Sequence, residues 1–312
     1  MSSYLVRRIL QSLVFITLST LAAYVVISSV MSTFLPRGMV TEGPSPRVIE
    51  LIGKSWGYTA SLIGAALLIT ILVAVPLGLF VASRPHSRLD HAVTFFSSLG
   101  LSVPLFGLGL ILIIALAILP YQWNTNNGWS WLPYLPPGSP FDYQQENNLL
   151  NRLYHVALPA VTLAIPQIAI LTRYVRASML EVLGLDYIRT ARAKGLPAWR
   201  VLGKHAFRNA ALPIITAISL AIPGIISGAI IVEYLFGFEG LGGLMFETLG
   251  GCVPTQERPC PPGGFGIRDP MLVKWLILLL FVVIAVANMI ADILYAAADP
   301  RVEHGSKASR SG

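Results

Sequence analysis

An all-α integral membrane fold with six transmembrane helices is predicted by three features of the sequence. Charge is scarce, six apolar stretches reach spanning length, and cations are spread unevenly between alternate connecting segments. Of the 312 residues, 54% are hydrophobic and 12% charged, and the mean hydropathy is +0.68. Soluble domains carry about 25% charged residues, so this chain has too little polar surface to be covered by water alone. Its net charge of +7 would point to an acidic or nucleic-acid partner in a soluble protein. In a membrane protein the same excess reflects Lys and Arg gathered in cytoplasmic loops, and no nucleic-acid partner is expected.

A charge at mid-bilayer costs at least ~2.5–3.5 kcal/mol, so uncharged stretches mark the spans. The first, Ile9–Val30, follows Arg7 and Arg8 and is longer than the apolar core of a cleaved signal peptide. The second, Thr59–Ala82, lies in the charge-free interval between Lys54 and Arg84. Ala92–Leu119 is the third, after Asp90. The fourth, Val156–Thr172, is short and holds Pro159 and Pro166, which predicts a kink or an extension past Arg173. Ala210–Val232 is the fifth and Trp275–Ala291, ending at Asp292, the sixth. Helices follow because backbone groups in lipid must bond within their own segment.

With the N-terminus inside, the inner segments hold 15 Lys and Arg, eight of them from Arg173 to Arg208, and the outer segments hold 7. Both termini are therefore expected to be cytoplasmic. Residues 1–55 form an N-terminal span and outer loop, 56–298 the transmembrane core, and 299–312 a cytoplasmic tail that reads as disordered from Glu303.

Three outer segments, Pro36–Trp56, Tyr121–Asn151 and Gly237–Pro270, are rich in Gly and Pro. Trp123, Trp129 and Trp131 cluster near Tyr121 and Tyr134. They read as interfacial anchors, with a lid over a substrate path as the alternative. Cys252 and Cys260 are the only cysteines. An oxidising exterior favours a disulfide between them, contributing at most ~2–3 kcal/mol by loop closure. Two free thiols are the alternative, and a metal pair would have too few ligands.

The inner segment Glu181–Pro213 predicts two helices. In the first, Asp186 is a suitable N-cap, Tyr187–Lys194 the body, and Gly195 a left-handed stop. Arg192 and Lys194 lie where the helix dipole favours cations. Pro197 suits the first turn of a second helix. There Trp199, Leu202, Ala206 and Ala210 share one face, and Arg200, Lys204 and Arg208 the other. Like charges at this spacing repel, so an anionic neighbour is expected, with lipid phosphate as the plain choice. The first helix is short, capped and stopped, a shape suited to docking in a partner's groove.

The stretch DYIRTARAKGLPAWRVLGKHAFRNAALP, Asp186–Pro213, resembles the coupling segment of the permeases of ATP-binding-cassette (ABC) importers, in the peptide/nickel group. YLVRRILQSL at Tyr4–Leu13, SSLGLSVPLFGLGL at Ser97–Leu110, VEYLFGFEGLG at Val232–Gly242 and ADILYAAADPRV at Ala291–Val302 are similar to other landmarks of that group. The resemblance covers nearly the whole chain. It implies a type I importer permease fold in a prokaryotic inner or plasma membrane. It further implies a pore shared with a homologous second permease, two cytoplasmic ABC ATPases and an extracytoplasmic substrate-binding protein. Di- and oligopeptides are the implied cargo, with nickel, glutathione or haem as alternatives. Asp186, Tyr187, Arg189, Ala191 and Gly195 match the motif of the coupling helix. Four features depart from the pattern: Arg189, Thr190 and Ala191 where the broader superfamily has Glu-Ala-Ala, LPRGM at Leu35–Met39, Glu239 where proline is usual, and a longer loop around Cys252 and Cys260.

Other classes fit poorly. No HExxH zinc signature or GxxxxGK[ST] phosphate loop occurs. No catalytic residue, metal site or cofactor bound by this chain is expected, and ATP hydrolysis falls to partner subunits. His155, at the start of span four, reads as structural. The polar span residues Thr70, Ser102, Thr216, Ser219 and Ser227 read as helix-packing groups, with a lining of the translocation path as the alternative. A proton-coupled carrier would carry ionisable groups within its spans, which are nearly free of them here.

Overall fold

A computed structural model describes residues 2–34, 43–128, 133–136, 138, 148–197, 200–249 and 269–298. All regular structure among them is helical. Among the described residues, six helices are long and apolar enough to cross a membrane.

The first, α1 (Ser2–Phe34), contains the first expected span. Next, α2 (Pro46–Ala82) starts at Ser45, whose side chain accepts the Val48 N–H, with Pro46 in the first turn. The Pro46–Trp56 part of the outer segment is thus helical, because cap and proline start the helix well before the apolar run begins. Ser55, Thr59, Leu62, Ala66, Thr70 and Ala74 are buried at three- and four-residue spacing, one face of α2.

The expected third span, Ala92–Leu119, is two helices. α3 (Arg88–Ser102) ends at Val103, which is extended. The steric cause is Pro104, which disfavours helical backbone in the residue before it. The membrane-length helix is then α4 (Leu105–Asn127), with a π-helical turn at Ile114–Ile118.

α5 (Leu149–Leu183) is capped by Asn148 and runs through Pro159 and Pro166 and well past Arg173. Its second half packs against α2 so closely that a Cβ on Gly78 would lie 2.7 Å from Val175. Small residues at such crossings let helix backbones approach in lipid. A short helix, α6 (Asp186–Ala193), follows. The π-helical Val201–Phe207 then leads into α7 (Arg208–Leu235). The last two helices are α8 (Leu241–Thr248) and α9 (Pro270–Ala298).

Among the described residues, buried apolar side chains form three clusters. One joins α2, α4, α5 and α7 through Leu62, Ile113, Leu158 and Phe236. A second joins the start of α2 to α8 and α9 through Val48, Leu241 and Leu276. The third lies at the other end of the bundle and includes Val175, Met179, Ile188, Ala191 and Ala206. This last cluster is the seat of α6.

α1 leans on α9, where Lys274, 1% exposed, places its Nζ 4.5 Å from the Tyr24 ring centre and 5.2 Å from that of Trp275. Sequence order alone places this cation in an outer loop. The packing of α1 instead folds it between two aromatic faces, a favourable setting for an ammonium group.

Candidate functional site

The short helix α6 is built differently from its sequence expectation at one end and as expected at the other. Leu185 occupies the N-cap in extended conformation with no side-chain bond, and Asp186 is the first helical residue. Asp186 instead faces water and pairs with Arg189 at 3.4 Å, with both side chains largely exposed. Such a pair contributes little, although a carboxylate in the first turn still suits the helix dipole. At the far end Gly195 has φ +74°, and its N–H donates to the Arg192 carbonyl at 2.9 Å. A Cβ there would meet nothing within 4 Å. Backbone conformation, not space, therefore calls for glycine.

Ile188 and Ala191 point inward, at 0% and 7% exposure, into the cluster with Val182, Val201 and Ala206. Ala191 therefore seats α6 on its own chain, while Tyr187, Arg189, Thr190 and Arg192 face out. The inward pair could have been read from its i, i+3 spacing. The Tyr187 hydroxyl accepts a hydrogen bond from Asn209 Nδ2 at 2.6 Å, tying α6 to the first turn of α7. Nothing local announces that tie, since 22 positions separate the two residues.

Beyond α6, the Pro197 carbonyl accepts the N–H groups of Arg200 and Val201. In the following helix Val201, Ala206 and Ala210 are buried, Leu202 half-buried, and Arg200 and Arg208 exposed. The expected two-faced pattern is present, shifted by the wider π-helical turns. Trp199 lies outside the described residues, as does the Lys204 side chain.

At the opposite end, the VEYLFGFEGLG segment has a compact explanation. Glu233, fully buried at the end of α7, accepts the Gly242 N–H at 2.6 Å, and Thr59 Oγ1 accepts that of Leu241 at 2.8 Å. Together they satisfy the first N–H groups of α8. Gly237 turns the chain at φ +59°. A Cβ on Gly240 would run into the Glu233 carboxyl, and one on Gly242 would sit 2.5 Å from Ile230 Cα.

Of the remaining singled-out residues, Ser227 is exposed on α7. His155 Nδ1 lies 3.4 Å from the Gly138 carbonyl oxygen. Thr70, Ser102, Thr216 and Ser219 each bond a carbonyl one turn back in their own helix. Tyr121 and Tyr134 stack edge to face at 5.5 Å, and Trp123 is exposed. Trp129, Trp131, Cys252, Cys260, the LPRGM segment and the tail from residue 299 lie outside the described residues.

Residues 74–304 match the family of binding-protein-dependent transport system inner membrane components. The oligopeptide transport system permease protein AppB of Bacillus subtilis (strain 168) is 39% identical over 257 residues, 82% of this chain and 72% of the relative. The dipeptide transport system permease protein DppB of Escherichia coli (strain K12) is 32% identical over 251 residues, 77% of this chain and 68% of the relative. Among solved structures, an inward-facing MetNI methionine ABC transporter superposes with a TM-score of 0.58 at 15% identity. That match covers 82% of this chain and 99% of the other, and the likeness is one of fold.

Proposed function

The chain belongs to the family of binding-protein-dependent transport system inner membrane components, and on that premise we propose that it is one of two permeases lining the path of an ABC importer for di- and oligopeptides. The relatives named for oligopeptide and dipeptide transport support that cargo. In this reading a homologous permease completes the pore, two separate ATPase subunits hydrolyse ATP, and an extracytoplasmic binding protein delivers peptide. The chain resides in the inner or plasma membrane of a prokaryotic cell, with both termini cytoplasmic.

The seating of α6 carries the proposal. A loop that only joined two spans would need no fixed helix, yet this one is held by Ile188, Ala191 and the Tyr187–Asn209 bond, with its other face open. The exposed Asp186, Tyr187, Arg189 and the Gly195 turn form the face offered to an ATPase groove. A push on that face passes through Ile188 and Ala191 into α5, and through Tyr187 into α7. ATPase motion thereby reaches two spans at once.

Uptake assays in a strain lacking this chain test the cargo. Lost uptake of di- and oligopeptides is expected, and unchanged peptide uptake with lost nickel uptake would overturn it. Nucleotide-stimulated transport by proteoliposomes holding this chain alone would overturn the shared complex.

A further inference from the structure

Asp90 opens a second mechanical link at the cytoplasmic end of the bundle. Its carboxylate is 2% exposed and takes a two-pronged bond from Arg176, Nε to Oδ1 at 2.6 Å and Nη2 to Oδ2 at 2.7 Å. The backbone N–H of His86, a non-glycine residue at φ +62°, donates to the same Oδ2 at 2.9 Å. Ser87 Oγ in turn accepts the Asp90 N–H at 3.2 Å. The turn between α2 and α3 is thus wrapped around one carboxylate, and that carboxylate is locked to α5.

The location gives the pair its meaning. Arg176 follows Val175 and precedes Met179 and Val182, all members of the cluster that seats α6. From Asp90, α3 runs antiparallel along α5, so that a Cβ on Gly100 would lie 3.6 Å from Ile165 and 3.8 Å from Ala169. Past the break at Pro104, Leu105 abuts Gly228 of α7. α3 is therefore a strut, pinned at its inner end to α5 and leading at its outer end into span three.

A buried ion pair is a poor source of stability, since well-packed apolar groups of the same volume do as well or better. Its fixed, two-pronged geometry is good for holding two helices in register. We propose that Asp90 and Arg176 are positioning residues that carry displacement of the α6 seat into α3 and span three. The proposal rests on the reading of α6 as the ATPase docking helix.

The test uses the complete complex with its ATPases and binding protein in proteoliposomes, measuring ATP hydrolysed per peptide imported. Asp90→Asn, Arg176→Gln and the double variant are compared, the double variant leaving no unpaired buried charge should a single one fail to assemble. Transport is expected to fall roughly 3- to 30-fold in the assembled double variant while ATP hydrolysis stays within about twofold, raising the ATP-to-peptide ratio. A role in stability alone would lower both rates together and leave the ratio unchanged. Gly195→Val runs in parallel. An unchanged ratio in the double variant beside an uncoupled Gly195→Val complex overturns the role of the ion pair and leaves α6 standing. An unchanged ratio in the Gly195→Val complex overturns the α6 reading, and the proposal with it.

Discussion

Glu233 closes the N-terminal end of α8 from the neighbouring helix, its carboxylate accepting the Gly242 N–H at 2.6 Å with no exposure to solvent. One side chain thus fixes the angle at which α8 leaves α7, and α8 in turn packs on the start of α2 and on α9. The glycines around it are the space that the carboxyl and the Ile230 backbone occupy.

Replacing Glu233 by Ala should therefore destabilise the chain by about 1–3 kcal/mol, because it strips a buried N–H of its acceptor. Glu233→Gln keeps an acceptor oxygen and should cost less. Gly242→Ala should match or exceed Glu233→Ala, since its Cβ meets backbone, which yields less than a side chain. Thermal denaturation in detergent checks the order. Equal Tm values for Glu233→Ala and wild type would remove the carboxylate from this role.

At Gly195 the penalty for a side chain is conformational. Gly195→Val should cost roughly 1–2 kcal/mol locally, the strain of a β-carbon in left-handed backbone, and should uncouple ATP hydrolysis from transport while leaving membrane insertion intact. Gly195→Asn should lie nearer wild type, because Asn tolerates that conformation. Full coupled transport by the Val variant would show that the turn does not position α6.

Ala191 and Arg189 should separate seating from docking. Ala191→Trp overfills a buried site and should cost about 1–3 kcal/mol, loosening α6 and lowering the yield of assembled complex. Arg189→Ala, on the open face, should leave this chain as stable as wild type and weaken retention of the ATPases during purification. Copurification of the ATPases with each variant, read beside its Tm, decides it. A normally assembled, fully stable Ala191→Trp would mean that this face of α6 is not a packing face.

The Asp90 carboxyl is held below the usual carboxylate range, first by its hydrogen bond from Arg176, with desolvation opposing. A group whose folded pKa is depressed contributes stability above its unfolded value, near 3.9 for Asp, and loses it as pH falls through the folded value. Asp90→Asn should lower stability at pH 7 by about 3 kcal/mol, the lower end for a broken buried pair, because Arg176 keeps some contact with water. The gap in Tm between wild type and Asp90→Asn should then narrow below about pH 4. A gap that stays constant from pH 7 to the acid limit would show that ionised Asp90 contributes nothing.

The spans were legible because the bilayer imposes local rules. A charge within the hydrocarbon is expensive and every backbone group must bond inside its own segment, so charge-free intervals located all six long helices. Gly195 was legible for the same reason, since a left-handed stop is a property of one residue. Pro104 also carried a local signal. The break at Val103 follows from it, although the apolar run Ala92–Leu119 continues across it.

What the tertiary structure alone decided are relationships whose partners lie far apart in the chain. Asp90 and Arg176 are 86 positions apart, Tyr187 and Asn209 are 22, and Thr59 and Leu241 are 182. A carboxylate beside a span reads as a boundary whether it ends in water or in the grip of a guanidinium. The sequence determined where helices run and stop, because those choices are set by solvent and backbone within a few residues. Which polar groups are buried, and against what, depended on how helices pack, because a buried charge or N–H is tolerable only where a distant residue meets it.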